Sequence, residues 1–313
     1  IIAQEASVVA VNEITREVVA VGNQARQMVG RTPYGLTTMM PMSHGVIARF
    51  DLATHLIRYL IGKARNALIP IRPRVVMGIP CDTTEVERRA LSLAALRGGA
   101  RKVFLVEEPI AAGLGVGLPV LSPAGHMVID VGGGTTNCAI MALGGIVASQ
   151  TLRVGGIDMD EMIARHLRRE YGLMIGERAA EELKVQVGSS YPVGDAESCQ
   201  VTGRDCVTGM PKSVTVSGRE VRMALQELLR AISAAARATI EKAPPELISD
   251  ISQHGIVATG GGALLRGFAM FLTSELGMPV VVAEEPLLSV VLGLGKTLEE
   301  PGLLDRVAVS EAP

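Results

Sequence analysis

Apolar positions along this chain alternate between the two-residue period of strands and the three-to-four-residue period of helices. Residues 6–11 (ASVVAV) and 17–21 (EVVAV) predict short β-branched strands separated by a turn at Asn12 and Glu13. Residues 51–67 carry Leu52, Leu56, Tyr59, Leu60 and Ala64 at helical spacing, and 73–79 (PRVVMGI) predicts a buried strand ended by Pro80. Thr83 or Thr84 then caps a helix over 85–97. The pattern continues as strand 102–106, helix 109–117, strands 126–131, 137–142 and 145–152, and helices 157–171 and 177–187. A polar, turn-rich stretch over 188–217 predicts a small β-rich insertion, followed by a long helix, 218–242, that Pro244 and Pro245 stop. Strand 255–259, helix 262–276, strand 279–282 and helix 286–299 complete an alternation that predicts an α/β fold. Glycine-rich strand-turn units near 130 and near 260 suggest two related lobes facing one ligand.

Length and composition narrow the picture. With 313 residues the chain can hold two domains, and 48% hydrophobic against 20% charged residues marks a folded protein rather than a disordered one. Trp is absent and Phe and Tyr are few, so aliphatic side chains must fill the interior. A net charge of -2 and no long basic run disfavour nucleic acid as a partner. Cys81, Cys138, Cys199 and Cys206 show no CxxC spacing and no accompanying His ligands, so they read as ordinary thiols of a reducing compartment. No signal peptide is visible, and no apolar run reaches the roughly 20 residues of a spanning helix, which predicts a cytoplasmic protein.

The most informative segment runs from His126 to Asn137 (HMVIDVGGGTTN): a strand ends in an acid, turns through three glycines and two threonines, and re-enters a strand. Glycines let backbone N–H groups approach an anion with no side chain in the way, and Thr135 and Thr136 add hydroxyl donors. Asp130 is placed to hold Mg²⁺ through water, since that ion keeps much of its hydration shell. Taken alone, the segment also suits a glycine-rich hairpin with one exposed acid. The second turn, Ile256 to Arg266 (IVATGGGALLR), again enters a helix through three glycines, and a helix start with bare donors can hold a phosphate or the polar edge of a nucleoside. It is neither a GxGxxG nor a GxxxxGK[ST] loop. Two such loops in one chain favour a nucleotide over two packing turns. A diglycine turn at Gly155 and Gly156 precedes a helix with an acidic first turn. It reads equally as a helix start capped by Asp158 and as a ligand contact.

Together these segments resemble the actin-like ATPase superfamily, and within it the MreB family. The similarity covers essentially the whole chain, through GRTP (30–33), PM..GVIA (41–48), TEVERRA (84–90), GA.KVFLVEEPIAA (99–112), DVGGGTT (130–136), GERAAEELK (176–184), PPELISDI (244–251), TGGGALLRG (259–267) and PVVVAEEPL (279–287). The resemblance implies a two-lobed actin-like fold of four subdomains with ATP and Mg²⁺ in the interlobe cleft. It assigns 1–7, 42–121 and 285–313 to the first lobe's core, lacking its N-terminal strands, and 8–41 to that lobe's small subdomain. Residues 122–156 and 219–284 would form the second lobe's core and 157–218 its small subdomain. Gly132, Gly133, Gly134 and Thr135 would cradle the β- and γ-phosphates, with Thr136 beside them and Asp130 near Mg²⁺. Glu108, the acid before Pro109, would orient the attacking water, with Thr135 assisting. Glu181 and Lys184 would contact ribose or base, and Gly260, Gly261 and Gly262 would form the adenosine-side loop. Without the resemblance, Glu108 reads as a solvated loop acid, and Glu181 with Lys184 as an exposed helical ion pair.

Departures from the family pattern accompany the match. Asn137 stands where the family usually has Glu, and Ile157 where a polar residue is common. The family's opening phosphate loop has no counterpart: Ile1-Ile2-Ala3 corresponds to the strand just after it, and the expectation is a fragment. Residues 67–71 (ALIPI), flanked by Arg65, Arg72 and Arg74, form an apolar tip amid positive charge, with Leu68 and Ile69 as candidates for insertion into a bilayer interface. A loop packed into the core is the alternative. Met39, Met40 and Met42 suit either an interface or core packing.

The function that the resemblance implies is a membrane-associated filament with slow ATP hydrolysis, supporting elongated cell shape at the inner face of the cell membrane. Its partners would be further copies of the chain, the inner membrane surface and the cell-wall elongation machinery. Competing readings are a plasmid-segregation or magnetosome filament, a small-molecule kinase and a chaperone-like ATPase. A kinase needs a catalytic base in a substrate pocket, which the sequence does not reveal. A chaperone needs a peptide-binding domain, for which about 40 residues beyond the second glycine loop are too few. A non-hydrolysing scaffold is the reading if Ile1 is the true start.

Overall fold

β-Branched runs punctuated by Asn and Gly set the first elements. The strands β1 (Val9–Asn12) and β2 (Val18–Val21) pair antiparallel. Asn12 makes their turn, its side-chain oxygen accepting from the N–H groups of Ile14 at 2.9 Å and Thr15 at 3.1 Å. The first strand begins at Val9 rather than at residue 6, because Val8 N–H donates to Ala6 O in a tight turn. A short helix α1 (Asn23–Met28) and a third strand β3 (Leu36–Met39), neither evident in the periodicity, complete the sheet β2-β1-β3.

A two-residue pair, β4 (Met42–Ser43) and β5 (Val46–Ile47), turns through His44 and Gly45, both at positive φ. Then follow α2 (Phe50–Ala64), β6 (Arg74–Ile79), α3 (Glu85–Gly98) and β7 (Lys102–Glu107). Thr84, not Thr83, caps α3: its hydroxyl accepts from Glu87 N–H, and the Glu87 carboxylate accepts from Thr84 N–H. β6 and β7 run parallel, and the C-terminal strand Ala308–Ala312 covers the other side of β7. Ile61, Ile79, Leu91, Ala95, Val103 and Leu105 fill the core beneath this sheet.

The computed structural model describes residues 1–64, 72–193 and 195–312. It divides into one unit of Ile1–Glu107 with Ala308–Pro313, and a second of Glu108–Val307. Leu68 and Ile69, the candidates for membrane insertion, lie outside the described residues, as does the predicted end of the helix over 65–67.

The second unit opens with α4 (Glu108–Gly115), then β8 (His126–Val131), β9 (Thr136–Ala142) and β10 (Gly145–Leu152). After them come α5 (Gly156–Tyr171), β11 (Leu173–Met174), α6 (Glu177–Val187), β12 (Ser198–Asp205) and β13 (Pro211–Ser217). The β12–β13 hairpin realises the β-rich insertion predicted over 188–217, and β11, from before α6, adds a third strand to its sheet. α7 (Gly218–Glu241) starts at a Ser217–Glu220 capping box and buries Val221, Leu225, Leu229, Ile232 and Ala236 at helical spacing.

Pro244 and Pro245 do stop α7, but they also start a helix that the periodicity did not show, α8 (Pro245–His254), since Pro fits a first helical turn. β14 (Ile256–Thr259) follows. The predicted helix over 262–276 is instead a 3₁₀ turn (Gly261–Leu264) and a separate α9 (Phe268–Leu276), broken where Gly267 adopts φ 72°. β15 (Val280–Val282), α10 (Ser289–Glu299), α11 (Leu303–Val307) and β16 (Ala308–Ala312) end the chain.

The second unit's sheet has the order β10-β9-β8-β14-β15, antiparallel through β8 and parallel beyond it. Every residue of β8 and β9 is buried, the polar Asp130, Thr136 and Asn137 included. No described helix is long and apolar enough to cross a membrane.

Where α8 ends against the start of β8, His254 stacks on His126 with ring centroids 5.5 Å apart. Burial, reinforced by His254 and opposed by Asp250, lowers the His126 pKa below its ordinary 6.5. The unfolded chain therefore takes up this proton first, so the stabilisation is complete above about pH 6.5 and is lost as pH falls through the folded value. In melting curves recorded from pH 7.5 to 5, His126→Gln is expected to lose stability on acidification less steeply than the parent protein. Parallel curves would refute this linkage.

Candidate functional site

The hairpin between β8 and β9 is closed by Gly132 N–H donating to Thr135 O at 2.8 Å, directly beyond the cross-strand pair Val131–Thr136. The glycines thus keep the turn tight while leaving its backbone bare. The diglycine turn before α5 braces it: Gly156 N–H donates to Gly132 O and Ile157 N–H to Gly133 O, at 2.9 and 2.8 Å. A Cβ on Gly155 would fall 2.6 Å from both of those carbonyl oxygens, so only glycine fits. Asp158, expected to cap this helix start, sits at the third position of α5 and caps it from within the first turn, accepting from Gly155 N–H at 2.7 Å. Thr136 is fully buried and its hydroxyl donates to Val154 O, which ties the hairpin to the same turn.

The second glycine loop rests on the end of β8. Gly260 has φ 81°, and a Cβ there would meet Val131 O at 2.3 Å and Asp130 Oδ1 at 2.8 Å. Thr259, paired with Asp130 across the parallel strands, donates its hydroxyl to Asp130 Oδ1 at 3.0 Å. Ser190 N–H donates to Arg266 O at 2.8 Å, linking the segment after α6 to this loop.

These elements enclose a cavity of about 420 Å³. Of the residues predicted from sequence, Gly132, Gly133, Glu181, Lys184, Gly261 and Gly262 line it together. Glu108, Asp130, Gly134, Thr135, Thr136 and Gly260 are outside its lining, with Asp130 directly beneath Gly260 of the second loop. The volume falls in the range of small-molecule sites, about 300–1,000 Å³. Glycine backbone at the start of α5 forms part of the lining, where the helix dipole favours an anion. Val185, Leu264 and Leu287, all more than half exposed, add apolar surface suited to a flat ring.

The Lys184 ammonium reaches across to α5, donating to Gly156 O at 2.7 Å and lying 2.8 Å from Asp160 Oδ1. Arg178 and Glu182 form an exposed ion pair along α6. Burial pushes the Asp160 carboxyl up to about 6 against the pull of Lys184. Asp160 went unnoticed in sequence because its role needs α5 and α6 side by side. The apolar flank of Leu264, Leu287 and Val185 was hidden for the same reason.

Asp130 is buried, and burial lifts its pKa to about 6 with only the Thr259 hydroxyl opposing. A carboxylate short of positive charge at the foot of a phosphate-sized turn fits a divalent cation. Among the described residues no group of three His, Cys, Asp or Glu could hold a metal by itself. A cation here would therefore rest on Asp130, water and a ligand's phosphates, the habit of Mg²⁺. Glu108 opens α4 and accepts a hydrogen bond from Asn137 Nδ2 at 2.9 Å, which places it beside β9 rather than in a solvated loop.

Comparison with known proteins follows the same lines. A family model described as MreB/Mbl protein matches residues 1–306. The cell shape-determining protein MreB of Escherichia coli K12 is 45% identical over 304 residues, covering 96% of this chain and 88% of that protein. The cell shape-determining protein Mbl of Bacillus subtilis is 40% identical, covering 99% and 93%. Among solved structures, MreB5 of Spiroplasma citri bound to AMPPNP superposes with a TM-score of 0.91 at 34% identity, covering 95% of this chain and 90% of that one. A MamK double helical filament gives 0.80 at 23% identity, a likeness of fold alone.

Proposed function

The chain belongs to the MreB/Mbl family of actin-like, cell shape-determining proteins, and from that premise we propose that it binds ATP in the second unit's cavity, hydrolyses it slowly and assembles into filaments. The observation that carries this reading is the cavity itself, in which two glycine loops and α6 bring bare backbone and apolar surface together. The phosphates lie along Gly132, Gly133, Gly134 and Thr135, the ribose near Glu181 and Lys184, and the base against the second loop and its leucines. Mg²⁺ held through water by Asp130 would supply charge compensation at the phosphates. Glu108 orients the attacking water and Thr135 assists, a positioning task that phosphoryl transfer requires more than covalent chemistry. The AMPPNP-bound relative supports the ligand class.

The four-subdomain division by residue ranges given above belongs to this proposal, as do a cytoplasmic location at the inner face of the membrane and coupling to cell-wall elongation. Membrane attachment through Leu68 and Ile69 belongs to it as well. The test is sedimentation of the purified protein with Mg²⁺ and either ATP or no nucleotide, with and without anionic liposomes. ATP-dependent pelleting, increased by liposomes, is expected. A folded protein that binds ATP yet stays in the supernatant under every condition would exclude the filament reading.

A further inference from the structure

Three adjacent strands set one lateral row of polar residues at the foot of the site. Thr151 on β10 pairs with Asn137 on β9, and Asn137 pairs with Asp130 on β8. Asn137 is fully buried. Thr151 Oγ1 donates to Asn137 Oδ1 at 2.9 Å, and Asn137 Nδ2 donates to Glu108 Oε2 at 2.9 Å.

The direction of this relay is dictated by chemistry. An ionised carboxylate can only accept, so the amide nitrogen must face Glu108 and the amide oxygen must face Thr151, which then donates. Glu108 thereby fixes which way the amide lies, and the Thr151 hydroxyl holds its far end by donating to it. A carboxylate at 137, where the family usually has Glu, would add a negative group beside Glu108 and the buried Asp130 and has no N–H to give Glu108, whereas the neutral amide of this chain donates to it without repulsion.

We propose that Asn137 is a positioning residue for ATP hydrolysis, clamping the Glu108 carboxylate in one orientation, and that Thr151 anchors the clamp. The inference rests on the reading of Glu108 as the group that orients water. Glu108 leads a helix and its side chain has three rotatable bonds; the hydrogen bond to a buried interior strand removes that freedom. Losing it misplaces the water-orienting oxygen without touching the nucleotide, so turnover falls while affinity stays.

The experiment is steady-state ATPase kinetics, nucleotide affinity and melting temperature on the full protein and on Asn137→Ala, Asn137→Asp, Thr151→Val and Thr151→Ser, with Glu108→Gln as reference. Both Asn137 variants are expected to lose roughly 10–100-fold in kcat at unchanged KM, the scale of a small misplacement at a reacting centre. Thr151→Val should lose kcat in the same direction, and Thr151→Ser, which keeps the hydroxyl, should retain it. A merely structural role would lower melting temperature without separating kcat from KM and would not distinguish Ser from Val at 151 in turnover. Wild-type kcat in folded Asn137 and Thr151→Val variants, with Glu108→Gln inactive, overturns the clamp alone. Full activity in Glu108→Gln, or a parent protein that binds ATP without hydrolysing it, overturns the reading of Glu108 and the clamp with it.

Discussion

Glu108→Gln is expected to slow ATP hydrolysis by about 10²–10³-fold, within the range for removing one positioned acid–base group. Nucleotide affinity and melting temperature should stay near those of the parent protein. The asymmetry follows from the surroundings of the side chain. Glu108 is outside the cavity lining that contacts a ligand, so its loss removes little ground-state binding. Glutamine has the same shape, and its carbonyl oxygen can still accept from Asn137 Nδ2, so no buried donor is orphaned. What disappears is the negative charge that polarises water. Single-turnover hydrolysis beside equilibrium binding of a nucleotide analogue separates the two effects. Hydrolysis at the parent rate would remove Glu108 from the mechanism.

Gly293→Ala should destabilise the protein by about 3 kcal/mol or more, at or beyond the upper end for overpacked sites. α4 and α10 meet backbone to backbone. A Cβ on Gly293 would fall 1.7 Å from Ala111 O, and one on Gly115 would fall 1.8 Å from Ser289 O. Neither obstacle is a side chain that can swing away, so the helices must separate. Gly295, two residues along α10, supplies the control: a Cβ there meets nothing within 4 Å. Gly295→Ala should be neutral or stabilising by about 0.5–1 kcal/mol, the usual helical preference for Ala. Urea unfolding of the two variants decides it, and equal stabilities would refute the close approach. Because α4 begins at Glu108, the same substitution is expected to depress hydrolysis in whatever fraction remains folded.

Local chemistry explains which parts of this structure could be read from sequence. Both glycine loops, the Thr84 and Ser217 capping boxes and the long amphipathic α7 depend on residues within a few positions of one another. Elements that escaped are those whose stability comes from elsewhere. β4 and β5 have two residues each, too short for any period to register. α8 was masked because Pro244 and Pro245 announce an end as strongly as a beginning. α9 was fused with the turn before it because Gly267 breaks a run that remains apolar on both sides. In the site, glycine spacing exposed the cradle, yet the Lys184–Asp160 contact and the Thr151–Asn137–Glu108 relay depend on partners at least 14 residues apart. The substitution at 137 was visible in sequence as an oddity, but its meaning required strand register.

The glycine cradle also bears on the entropy of binding. A recognition loop built from side chains must freeze rotamers as its ligand docks, at about 0.5–1.5 kcal/mol for each rotamer-rich group. Here the surfaces facing the anion are peptide groups already fixed by Gly132 to Thr135, Gly156 to Gly132 and Ile157 to Gly133, with Gly260 held by Pro286 O. The ordering was completed when the chain folded. On the proposed binding mode, docking of the anion therefore freezes little of this cradle.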